Sequence, residues 1–148
     1  MIKRFFHVDI VVADMARSVA FYEALGFVKY ADDVMTDAEI GRGIGLETFG
    51  SLHGVLMRLP GAGDDQIFLD LTQFVSPASI AGSRPVHQTG LSRMCFMVED
   101  FGAAHAKLCA MDVEFIGPVV TLPEEQAHGM RMVSFRDPDG TFLEILGC

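Results

Sequence analysis

Residues 7–30, HVDIVVADMARSVAFYEALGFVKY, align without a gap with residues 93–116, RMCFMVEDFGAAHAKLCAMDVEFI, and this internal repeat limits the chain's folds more than any other feature. Each copy opens with a short strand-like run, passes an aspartate, continues with helical spacing and ends in a second strand-like run. Asp14 and Asp100 stand where a helix N-cap belongs, because a side-chain oxygen there accepts from backbone N–H groups that lack an intrahelical partner. Met15, Val19, Tyr22 and Leu25 keep helical spacing in the first copy, with Gly26 at the position after the helix. Phe101, Ala104, Leu108 and Met111 repeat the pattern, and Asp112 replaces the glycine.

A second duplication lies further along each half. IFLDL (67–71) and TFLEI (141–145) alternate as strands do, so Asp70 shares a face with Phe68, and Glu144 with Phe142. A lone carboxylate on a buried face either loses free energy or gives up its charge, so each acid is expected to have a partner. The first half has the longer middle, placed in ADDVMTDAEIGRGIGLETFG (31–50) and read as a loop with a short helix. FVSPASIAGSRPVHQTG (74–90), marked by Pro77, Gly82 and Pro85, reads as a linker. The expected organisation is an α+β chain with a first module over 1–73, a linker over 74–90 and a second module over 91–148. Each module runs strand–helix–strand–strand–strand. Two such halves bury together a core that neither completes alone.

At 148 residues the chain suits one domain or two small modules. A chain this long buries roughly 70% of its unfolded surface, so it needs no disulfide or structural metal to fold. Cys95, Cys109 and Cys148 are odd in number and show no C-x-x-C spacing, which fits a reducing cytoplasm rather than a zinc site or redox pair. The net charge of −9 opposes nucleic-acid binding, which needs a concentrated basic surface. No apolar run approaches the ~20 residues needed to span a bilayer. The start, MIKRFFHVDIVV, is interrupted by His7 and Asp9 and has no small-residue cleavage site, so no signal peptide is expected. His53, His87, His105 and His128 lack ligand spacing and read as surface or loop residues. GRGIG (41–45) lacks the preceding strand and the Lys-Ser/Thr of a phosphate loop, and reads as a flexible lip.

HVDIVVADMARSVAFYEALGF, GLSRMCFMVED and RDPDGTFLEIL resemble the vicinal oxygen chelate superfamily, which includes glyoxalase I, bleomycin-resistance proteins and type I extradiol dioxygenases. The resemblance covers nearly the whole chain and implies paired βαβββ modules forming curled sheets around a central cavity. In metal-using members the ligands come from the first and last strands of each module. Carried over residue by residue, those positions are His7 and Asp70 in the first half, and Arg93 and Glu144 in the second.

His7 and Glu144 match that pattern, and Asp70 stands where glutamate is usual. Arg93 departs from it: a guanidinium holds only donors and stays protonated, so it cannot ligate a metal. One arrangement keeps His7, Asp70 and Glu144 as a hard N/O set for a divalent ion such as nickel, manganese, iron or magnesium. The preferred arrangement has no metal, with Arg93 bridging Glu144 or Asp70 and supplying the positive charge itself. Asp9 follows His7 on its face, and Cys95 follows Arg93. With Phe5, Phe68 and Phe142 as apolar walls, these are the expected ligand-contacting residues. Asp9 has a second reading, as an edge-strand acid in water.

Two functions follow from the resemblance. One is an enzyme of isomerase, epimerase or lyase type, with Glu144, Asp70 or Asp9 as base and Arg93 or a bound cation as electrophile. The other is a non-catalytic protein that sequesters a drug or metabolite. A glyoxalase I proper is disfavoured by the broken ligand set, and an extradiol dioxygenase by the missing histidine. The expected partner is a small molecule, with a homodimer as an open alternative.

Overall fold

The computed structural model describes every residue except 64, 65 and 83, and it divides into two units, Met1–Ala81 and Gly82–Cys148. The first contains β1 (His7–Val11), α1 (Met15–Leu25), β2 (Val28–Met35), α2 (Ala38–Gly43), β3 (Ser51–Arg58) and β4 (Phe68–Ser76). Its sheet has the order β1-β4-β3-β2, with β1 parallel to β4 and the other pairs antiparallel. The second unit contains β5 (Met94–Met97), α3 (Phe101–Ala110), β6 (Val120–Thr121), α4 (Glu124–Ala127), β7 (Arg131–Arg136) and β8 (Phe142–Gly147). Its order, β5-β8-β7-β6, repeats the first, again with the first strand parallel to the last. The mixed α+β class and the duplicated topology are those implied by the repeat.

The helices start and stop where the sequence signals them. The Asp14 carboxylate accepts from Arg17 N at 3.0 Å, and that of Asp100 from Ala103 N at 2.9 Å. The side-chain carbonyl of Gln73, on β4, accepts from Met15 N at 2.9 Å and ties the start of α1 to the sheet. Gly26 ends α1 at φ 108°, a left-handed conformation that costs glycine little. Asp112, its counterpart in the repeat, adopts φ 53°, where its Cβ makes the same turn costlier.

Each sheet buries the apolar residues of one face, and β4 and β8 also bury residues of the other, among them Phe68, Phe142 and Glu144. Ile10, Val12, Val55, Met57, Leu69 and Leu71 are buried on the side of the first sheet that α1 covers, where Met15 and Tyr22 meet them. Leu143, Ile145, Val133 and Phe135 do the same in the second unit, against Phe101 and Leu108 of α3. Each buried aliphatic or aromatic side chain contributes about 1.5–3 kcal/mol. The opposite face of each sheet is therefore left to His7, Asp9 and Asp70 in one unit, and to Cys95 and Glu144 in the other.

Some elements differ from the sequence reading. Ala31–Met35, expected in a loop, continues β2 along β3, because that edge of the sheet offers it a full antiparallel partner. Phe74–Ser76, at the start of the expected linker, completes β4 against β3. GRGIG closes α2 instead of forming a lip. Gly41 is buried there against Phe49, which leaves no room for a Cβ. In the second unit the strand after α3 shrinks to a single bridge, Phe115–Phe135, and the fourth sheet position falls to the two-residue β6.

Candidate functional site

On the first unit, the parallel register of β1 and β4 sets His7 beside Phe68 and Asp9 beside Asp70. His7 Nδ1 lies 3.8 Å from Asp70 Oδ2, an ion pair when the imidazole is protonated. The Asp9 carboxyl is pushed above its ordinary value, first by burial, with a hydrogen bond from the Thr72 side chain and the His7 charge acting the other way. Asp70 is raised too, first by burial and then by the Asp9 charge, while His7 opposes the shift. Burial thus disfavours the charge on both carboxyls, the Asp9 charge adds to that at Asp70, and His7 opposes the shift at each.

Aromatic rings flank these acids. Phe68 is buried, with Phe6 at 5.4 Å and Tyr30 at 5.0 Å between ring centroids, and the Arg58 guanidinium lies over Tyr30. Phe5, the expected wall residue, lies before β1 and is exposed; its neighbour Phe6 takes that place against Phe68. Phe6 differs from Phe5 in strand parity, so the spacing that pointed to Phe5 could not have found it.

On the second unit, Arg93 Nε lies 2.8 Å from Glu144 Oε2, and the Glu144 side chain is only 7% exposed. The Ser134 hydroxyl donates to the same oxygen at 3.1 Å, from the register position opposite Glu144 on β7. Cys95, beside Glu144 on β5, donates its thiol to that carboxylate. Burial, this bond and the Glu144 charge push the thiol up to about 11, so it stays protonated near neutral pH. Phe142 is buried under the Arg136 guanidinium at 4.4 Å. Ser134 was not anticipated, although a lone hydroxyl inside the apolar alternation of RMVSFR was a usable sign.

Glu144 thus has three neighbours engaged with it, and Arg93 offers a cation where a ligand would stand. Among the described residues, no group of three or more His, Cys, Asp and Glu side chains is placed to hold a metal ion. Of the four positions, Arg93 holds only N–H donors and so cannot serve as a metal ligand. Among the described residues the remaining histidines have other surroundings. His53 pairs with Asp32 at 2.7 Å, and His105 stacks on Phe101.

Residues 4–145 match the family model described as Glyoxalase/Bleomycin resistance protein/Dioxygenase superfamily. Among solved structures, a glyoxalase family protein from Bacillus cereus is similar, with TM-score 0.85 and 24% identity over 99% of this chain and 95% of that one. The trypanothione-dependent glyoxalase I of Leishmania major has TM-score 0.64 and 25% identity over 98% and 86%. An antibiotic-binding protein from Streptomyces sp. CB03234 has TM-score 0.62 and 21% identity over 99% and 96%. No curated protein matches the chain.

Proposed function

The chain belongs to the Glyoxalase/Bleomycin resistance protein/Dioxygenase superfamily, and from that premise we propose that it is a proton-transfer enzyme of isomerase, epimerase or lyase type that works without a resident metal. The observation that supports this most is the Asp9–Asp70 pair, register partners whose carboxyls are both raised. Carboxyls raised by burial, with the Asp9 charge adding to the shift at Asp70, suit general acid–base work, because their proton affinity moves toward neutral pH. Asp70 is the base for a C–H next to a carbonyl. Asp9 raises the proton affinity of Asp70, and the His7 ring, 3.8 Å from Asp70, supplies an ion-pair partner when protonated. Glu144 is set aside as a base because Arg93, Ser134 and Cys95 already engage it.

The second reading, a sequestering protein, draws on the Phe6–Phe68–Tyr30 ring series, which suits holding a flat apolar body without chemistry. Chelator-treated protein incubated in D2O with 2-oxoaldehyde–thiol adducts and with acyl-CoA epimers separates the two, by NMR of deuterium at the labile carbon. Exchange that survives the chelator and falls by about 10²–10⁴ in Asp70→Asn supports the enzyme. Activity that returns only with added nickel or manganese would overturn the metal-free reading. Tight binding with no exchange would establish sequestration.

A further inference from the structure

Arg93 is held in an unusual way. Its anchor is a nearly buried carboxylate, itself fixed by the Ser134 hydroxyl, and the distance of 2.8 Å runs to Nε rather than to the end of the guanidinium. The arginine side chain nevertheless remains 43% exposed. Among the described residues, Glu144 is its only ion-pair partner, and the side chain is open enough for an outside group to reach it. Arg136 on the same sheet is the contrast: Glu114 takes its Nε at 3.0 Å, Gly140 O takes a terminal N–H at 3.2 Å, and its plane covers Phe142.

We propose that Arg93, positioned by Glu144 and Ser134, forms a recognition site on the second unit for the carboxylate of a small organic acid. A planar guanidinium matches two carboxylate oxygens with two parallel N–H donors. Because Glu144 fixes the side chain in advance, little rotamer freedom is lost when a ligand binds. The charge balance points to a monoanion. Glu144 already offsets part of the arginine charge from behind, which leaves enough for a single carboxylate and disfavours a dianionic phosphate. Cys95 adds no negative charge beside the ligand, since its thiol stays protonated. The inference rests on the second unit alone and is independent of the proton-transfer reading.

The test uses benzoate and its neutral analogue benzamide, titrated into ¹⁵N-labelled protein while the arginine Nε–Hε signals are followed. The Arg93 signal is assigned by its absence in Arg93→Lys. Benzoate should shift that signal saturably, and benzamide should not. Read from the backbone amide signals of β5 and β8, Arg93→Lys, which keeps the charge but loses the fork, should weaken benzoate binding at least about tenfold, and Arg93→Gln should abolish it. Arg136→Gln should bind as the wild type does. Inorganic phosphate should bind more weakly than benzoate. Equal shifts with benzamide, wild-type affinity in Arg93→Lys, tighter phosphate binding, or equal loss in Arg136→Gln would each overturn the proposal. Should Arg93→Gln fail to fold, the lysine variant and the benzamide control still decide it.

Discussion

Removing the Arg93 side chain tests how the second unit tolerates Glu144. In Arg93→Ala a carboxylate only 7% exposed loses its cation and keeps one hydroxyl and one thiol. Two unit charges about 4 Å apart attract by about 4 kcal/mol at an effective dielectric of about 20. Stripping one partner from a fully buried pair costs about 3–5 kcal/mol, whereas an exposed pair contributes about 1 kcal/mol or less. Here the acid is buried but the arginine is 43% exposed, so water reaches the vacated position and the loss should be about 2 kcal/mol. For a chain of this length that lowers the melting temperature by about 4–8 °C. Glu144→Gln should cost less, because a buried amide carries no charge. The double variant should be more stable than the sum of the single losses predicts, with a coupling of about 1–2 kcal/mol. Urea melts of the four proteins, followed by circular dichroism, measure this. Additive losses within about 0.5 kcal/mol would refute the view that Arg93 is the partner of that acid.

The first unit should respond to pH in the opposite sense from an ordinary ion pair. A raised carboxyl favours folding fully below the unfolded aspartate value of 3.8, and that contribution is lost as pH rises through its folded value. Asp70→Asn should therefore raise the urea midpoint at pH 7, by less than about 1 kcal/mol because water still screens the pair, and lose the advantage near pH 3. An unchanged or lowered midpoint at pH 7 would contradict the assignment. Asp112→Gly should stabilise the second unit by about 0.5–1 kcal/mol, since it frees the φ 53° turn and removes a negative charge beyond the C-terminus of α3. Thermal melts of that variant give the sign directly.

What could be read in the sequence was set by local chemistry and by the repeat. Asp14, Asp100 and Gly26 signal helix ends through hydrogen bonds and backbone angles that depend on a few neighbouring residues. Aligning the copies puts Arg93 in register with His7, and Cys95 with Asp9. Partner choice was less legible. Whether Arg93 would bridge Glu144 or Asp70 depends on which strand lies beside it, which spacing alone does not fix. Ser134 reaches Glu144 only through the register of β7 on β8, and Thr72 reaches Asp9 only through that of β4 on β1. The length of β2 and the shortness of β6 were hidden for a related reason. An edge strand extends as far as its neighbour offers partners, and the acids and glycines of 31–50 concealed an extension that β3 supports.

In both units the first strand hydrogen-bonds in parallel to the last, across two intervening helices and two strands. During synthesis, β1 emerges about sixty residues before the strand that completes it. At the usual 5–20 residues per second, the nascent chain carries that half-finished edge for about 3–12 s. The backbone edge of β1 has no strand partner over that interval, and the sheet closes only when the acid-bearing strand arrives. The strand that brings Asp70 to Asp9, like the one that brings Glu144 to Cys95, is therefore also the one that ends its unit's exposure to aggregation.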